Sequence, residues 1–355
     1  MATDYKNLLN KLLTVTTQEG ASDLHLSEGR QPSIRVSGDL ISLQKEEILS
    51  RDDTLGLLVE LITEEKKNQF LIKKEIDFSY SFSEKSRLRG NAFFQTGKVS
   101  IALRSIPRVI QTLGELNLPP ILESFSARKQ GFFLVVGPVG QGKSTTLAAM
   151  IETINTTRTE HILTIEDPVE YIFDQKKSII DQREVGLDTE SFPEALNRMF
   201  RQDINVAMIG EMRGPDTIRT AVTAAETGHL VLSTLHTNNA SQTVDRIIDS
   251  FTGPEQVQIR AQLSASLMGI FSQRLVKRVS GGRIPAFELL INNKAVANLI
   301  REGRTHEIDG IIEVSSQLGM ISMERSLASL VSKGEITLEE ARAHALNPSL
   351  LDKLL

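Results

Sequence analysis

The 355-residue sequence contains no cysteine and no tryptophan, and aromatic residues make up only 5% of it. Without cysteine there is no disulfide, thiolate nucleophile, iron–sulfur cluster or cysteine-bound zinc to consider, and the chain is expected to work inside the cell. An excess of positive charge is also missing, because 40 Lys+Arg stand against 45 Asp+Glu for a formal net charge of -5. Nucleic-acid binders carry a basic stripe, often interleaved with aromatics, so no nucleic-acid partner is expected. No window approaches the ~18 uninterrupted apolar residues of a membrane span, and residues 1–18 lack the basic start and sustained apolar core of a signal peptide. Membrane contact is therefore expected only through a partner.

What is present is an ordinary globular composition, 40% hydrophobic and 24% charged, in a length that suggests two domains. Residues 1–104 hold 15 Lys+Arg and 15 Asp+Glu, so the net charge falls on the remainder. Leu8, Leu9, Leu12 and Leu13 recur at helical spacing, as do Leu55, Leu58, Leu61 and Ile62. By contrast, Ile76, Phe78, Tyr80 and Phe82 alternate with Asp77, Ser79 and Ser81, which predicts a strand with one buried face. Arg87 and Arg89 share a face of the next run, and Arg104 lies on the polar side of the one after, so three arginines fall on neighbouring strands. They are either solvated strand faces or cations held for an anionic ligand. Three prolines and Gly114 between Ile106 and Pro120 mark a connector. The division predicted is an α+β domain over 1–107, a linker over 108–120 and an α/β domain over 121–355. In the latter, apolar runs at 132–136, 162–165, 206–209 and 230–235 alternate with helical stretches, the rhythm of a mostly parallel sheet covered by helices. After Pro254, the residues Ile259, Leu263, Leu267, Ile270, Phe271 and Leu275 form a stripe at helical spacing, and about 254–355 reads as a small helical subdomain.

The strongest chemical signal is Gly137-Pro138-Val139-Gly140-Gln141-Gly142-Lys143-Ser144, a GxxxxGK[ST] loop between an apolar run and a helical stretch. In such a loop backbone amides curl around phosphates, the lysine neutralises their charge and the hydroxyl ligates Mg²⁺, with Thr145 in support. A nucleotide cradle also needs acids for the metal and for the attacking water. Two acidic clusters end apolar runs, one holding Glu166, Asp167 and Glu170, the other Glu211. His229 and His236 are seven residues apart, which on a strand puts them on opposite faces and argues against a shared metal. His236, at a strand end, is either structural or a hydrogen-bond donor to a terminal phosphate.

Together, residues 137–146, IEDPVEY at 165–171, GEMR at 210–213 and TAAETGHLVLSTLHTNNA at 223–240 resemble the Walker A, Asp, Walker B and His boxes of the secretion ATPase superfamily. Within it the chain most resembles the type IV pilus retraction ATPases of the PilT type. That resemblance implies a RecA-like P-loop core with a smaller N-terminal PAS-like domain and a C-terminal helical subdomain. It further implies a homo-hexameric motor hydrolysing ATP with Mg²⁺ at the cytoplasmic face of the inner membrane. Such a motor acts on a membrane platform protein, alone or with a paralogous motor ATPase, to pull pilin subunits out of the fibre. By the same resemblance Gly137, Gly140, Gly142, Lys143, Ser144 and Thr145 bind the phosphates, and Ser144 and Glu211 serve Mg²⁺. Glu170 polarises water, His236 senses the γ-phosphate, Glu166 and Asp167 orient the site, and Arg89 and Arg104 meet the nucleotide. Extension and type II secretion relatives usually carry an extra N-terminal domain and a four-cysteine zinc module, so the missing cysteines favour retraction. The alternatives are an extension or secretion ATPase, a non-hydrolysing regulatory paralogue, or a nucleic-acid translocase. The chain departs from the family pattern at Val139 and Gln141 in the phosphate loop. It departs again in AVANLIRE, where Ala297 replaces an arginine.

Overall fold

The computed structural model describes residues 4–36, 38–83, 86–106 and 109–355. Contacts divide the chain into two units, Met1–Arg108 and Val109–Leu355. The boundary expected at 107/108 lies outside the described residues.

In the first unit α1 (Tyr5–Gln18) starts where the Asp4 carboxylate accepts from the Asn7 amide, and it buries Leu9, Leu12 and Leu13 at the predicted spacing. Strands β1 (Asp23–Ser27), β2 (Ser33–Val36) and β3 (Asp39–Ser42) follow. Next come α2 (Arg51–Leu61), opened by a reciprocal Ser50/Asp53 capping box, and α3 (Glu64–Lys73). Strands β4 (Glu75–Ser83), β5 (Ser86–Gln95) and β6 (Lys98–Ile106) complete an antiparallel sheet of order β3-β2-β1-β6-β5-β4. One face packs on the helices, with Leu24, Leu26, Leu88 and Leu103 against Leu9, Leu57 and Phe70. The register aligns Arg35, Asp23, Arg104 and Arg89 in one row across β2, β1, β6 and β5. Arg104 and Arg89 are thus directly opposite like charges, a repulsive arrangement that Asp23 relieves by accepting from Arg104 Nε at 2.8 Å.

The second unit opens with α4 (Ile121–Ser126), β7 (Gly131–Val136), α5 (Lys143–Thr157), β8 (His161–Glu166) and β9 (Ile179–Glu184). It continues through α6 (Phe192–Met199), β10 (Val206–Ile209), α7 (Pro215–Glu226), β11 (Leu230–Leu235), α8 (Ala240–Ile248) and α9 (Pro254–Ser266). A hairpin of β12 (Leu267–Lys277) and β13 (Arg283–Ile291) precedes α10 (Lys294–Glu302), α11 (Ile308–Val314), α12 (Met323–Ser332), α13 (Leu338–His344) and α14 (Pro348–Leu354). The seven strands run in the order β13-β12-β7-β11-β10-β8-β9, parallel except for the β12–β13 pair. Every residue of β7, β10 and β11 is buried, which is why the sequence shows them as near-continuous apolar runs; in β11 the run is broken only by Ser233 and Thr234, whose hydroxyls donate to the Ile209 and Gly210 carbonyls. On one face Phe132, Leu134 and Val136 pack against α6 to α9, and on the other Phe133 and Val135 pack against α4 and α5.

Two expectations need correction. The helix predicted through Leu275 ends at Ser266, and Leu267 to Lys277 form a strand paired with β7 and β13. Because β12 is buried on both faces, it lacks a strand's alternation, and its apolar residues fall three and four apart by coincidence with the helical period. The region from 254 is therefore not wholly helical; after β13, helices resume at Lys294. The stretch read as a linker is, from Val109, part of the second unit, where Leu113 and Leu118 are buried in its core. Among the described residues no helix is long and apolar enough to cross a membrane.

Candidate active site

Strand β7 stops at Val136 and the chain turns back into α5 through the glycine loop. At Gly137, with φ 148, a Cβ would lie 2.5 Å from the Gln273 carbonyl oxygen. At Gly142, φ 80 places the helix cap in the left-handed region, where only glycine is unstrained. Lys143 follows, only 7% exposed. Its Nζ donates to the Gly137 and Pro138 carbonyls at 2.7 and 2.9 Å and meets His236 Nδ1 at 3.1 Å. Burial pulls its pKa down to about 8, and Arg274 adds to that, while Glu211 and Glu170 oppose it. An ammonium can only donate, so Nδ1 of His236 accepts and the ring proton sits on Nε2, facing Glu211 Oε1 at 3.5 Å. Lysine, histidine and carboxylate thus form a chain across the ends of β7, β10 and β11. Ser144 is half-buried in the first turn of α5, and the Thr145 hydroxyl lies 2.8 Å from that of Tyr171.

The acids divide into internal and open groups. Glu166 closes β8 at 5% exposure and accepts from Thr164 Oγ1 at 2.8 Å and from the Glu170 amide at 3.1 Å. Burial raises its pKa to about 7. Its oxygens are spent on the protein, where they fix the backbone that carries Glu170; the Glu170 side chain itself is exposed. Arg213 ties the two acidic clusters together, donating to Asp167 Oδ2 at 3.0 Å and to Glu211 Oε2 at 3.2 Å. Sequence reasoning gave Arg213 no role, although it follows the Walker-B-like acid.

Sequence reasoning also missed the support from β12. Gln273 accepts from Thr146 Oγ1 and donates to the Gln141 carbonyl, each at 2.7 Å, and the Leu275 amide donates to Gln141 Oε1 at 2.6 Å. The glutamine that departs from the family pattern therefore pins the loop to the strand. Gln273 and Arg274 amid an apolar run were the available signal, since buried polar side chains are costly without partners. His229 lies at the other end of β11, bonded through Nδ1 to the Ala224 carbonyl at 3.0 Å and edge-on to Phe200, so the two histidines do not meet. Arg89 and Arg104 belong to the N-terminal unit, where they face each other across β5 and β6.

A family profile described as Type II/IV secretion system protein matches residues 3–342. The chain belongs to that family. Among its secretion-family relatives, the type IV pilus retraction ATPase PilT of Pseudomonas aeruginosa is 42% identical over 96% of this chain and 98% of its own length. The type IV pilus ATPase PilU of the same organism is 42% identical over 94% of this chain and 88% of its own length. A crystal structure of the pilus retraction motor PilT with bound ADP superimposes with a TM-score of 0.91 at 42% identity, covering 97% of this chain and 98% of that one. The second unit is accordingly the RecA-like ATPase core of a secretion-family protein, preceded by a smaller α+β domain.

Proposed function

We propose that this chain is the ATP-hydrolysing motor of type IV pilus retraction, working as a homo-hexamer at the cytoplasmic face of the inner membrane on a platform protein. The observation that carries the reading is the Lys143–His236–Glu211 chain beside a phosphate loop, in a protein 42% identical to PilT along nearly its whole length. When ATP enters, the loop amides and the first turn of α5 cradle its phosphates, and Lys143 exchanges carbonyl partners for phosphate oxygens. Glu170, open to solvent and held through its amide by Glu166, polarises the attacking water. His236 reads the γ-phosphate, because phosphate on Lys143 competes for the ammonium that it now shares. Loss of the γ-phosphate returns Lys143 to its carbonyl and His236 partners, which is the step converted into motion.

The donor set fits Mg²⁺ brought in with the nucleotide. Ser144 offers a hydroxyl and Glu211 a carboxylate, both hard oxygen donors, while no group of three His, Asp or Glu among the described residues could hold a metal by itself. Mg²⁺ would supply charge neutralisation at the phosphates when bound. The equal 42% identity to PilU supports a second reading, an accessory motor acting beside a paralogue. Deleting the gene and restoring it with wild type or Lys143→Ala tests the retraction reading. A retraction motor leaves the deletion strain with excess pili and no twitching, cured by wild type alone. Loss of pili on deletion points instead to extension, and cure by Lys143→Ala to a non-hydrolysing role.

A further inference from the structure

Two loops of the site hang from one short piece of β12. Gln273 holds the phosphate loop through Gln141 and Thr146, and its neighbour Arg274 reaches the loop that follows His236. Arg274 Nη2 donates to the Asn238 carbonyl at 3.2 Å and to Asn238 Oδ1 at 3.0 Å, while Nη1 turns back to the Gln273 carbonyl at 3.3 Å. Two residues further on, the Ala240 amide donates to Glu288 Oε1 at 2.8 Å, an oxygen that also accepts from Ser272 at 3.1 Å. The His236 loop is thereby tied to the hairpin two and four residues beyond the histidine.

Arg274 is only 6% exposed. A buried guanidinium is costly unless its fork of donors is used, and here the fork is spent on the Asn238 carbonyl and side chain and on the Gln273 carbonyl. We infer that Arg274 is a positioning residue for hydrolysis: by clamping Asn238 to the strand that also holds the phosphate loop, it fixes His236 where Nδ1 meets Lys143 and Nε2 faces Glu211. The inference rests on the ATPase reading of the site, and it assigns to β12 the spacing between sensor and phosphate loop.

The test uses the full-length chain carrying Arg274→Met or Asn238→Ala, each alone and combined with His236→Ala. Turnover, ADP affinity and the ¹⁵N resonances of His236 in nucleotide-free protein are measured. Because Arg274 acts through His236, Arg274→Met lowers kcat by about a hundredfold while ADP affinity changes less than about threefold. Its loss vanishes in the His236→Ala background, and the His236 resonances move. Losses that multiply in the double variant overturn the inference, as do unmoved His236 resonances. Should Arg274→Met not fold, exposed Asn238→Ala decides by the same non-additivity, with a smaller loss of about severalfold. If the wild type shows no turnover, the ATPase reading fails, and the His236 resonances alone decide whether Arg274 places the ring.

Discussion

Lys143 is under opposing demands. Its burial lowers its pKa to about 8, whereas bound phosphates favour the charged form. Above that pH the free protein has lost a proton that the complex must take up again. The bound state then holds more protons than the free state, so affinity falls as pH rises. A titration with a fluorescent ADP analogue at a series of pH values should find Kd flat up to about 8 and weaker beyond it, by at most about tenfold per pH unit. A Kd indifferent to pH past that point contradicts this account of the site. Lys143, Glu170, Glu211 and His236 can be singled out as candidates from the sequence because each lies in a short motif whose chemistry is local. Arg213 and Gln273 cannot, because their value depends on partners brought near only by the fold, in the case of Gln273 a phosphate loop 127 residues away at Thr146.

At the scale of elements, the parallel strands were readable where burial on both faces produced a near-continuous apolar run, as in β7, β10 and, but for Ser233 and Thr234, β11. The same burial concealed β12, whose Ile270, Phe271 and Leu275 mimic a helix stripe. The cost of that misreading was functional, since β12 carries the polar residues that hold the phosphate loop. Phe271 is fully buried and packs at 5.0 Å between ring centroids on Phe287 of β13. Phe271→Ala should cost about 3–5 kcal/mol in denaturant unfolding. A loss below ~1 kcal/mol would mean that the strand is not part of the core.

Across the whole molecule, the acidic surplus lies in the ATPase unit, and two of its carboxyls are buried deeply enough to hold their protons well above the usual carboxylate range. Glu166 and Glu288 each have pKa raised to about 7, in both cases by burial. From the ordinary glutamate value of 4.5 up to that pH the native state binds protons that the unfolded chain has released. Stability owed to these groups is therefore full below 4.5 and is lost as pH rises through about 7, by at most ~1.4 kcal/mol per pH unit for each. Glu166→Gln and Glu288→Gln should each flatten the fall in unfolding free energy across that window; an unchanged slope contradicts the burial of these charges. The most direct test of the central claim is steady-state phosphate release from Mg·ATP by the purified chain, its Lys143→Ala variant and its Glu170→Gln variant. Turnover by the wild type, none by Lys143→Ala, and a loss of about a hundredfold or more in Glu170→Gln with ADP binding retained is the result expected of this site. A wild type without turnover, or a Lys143→Ala variant that keeps it, would contradict the account.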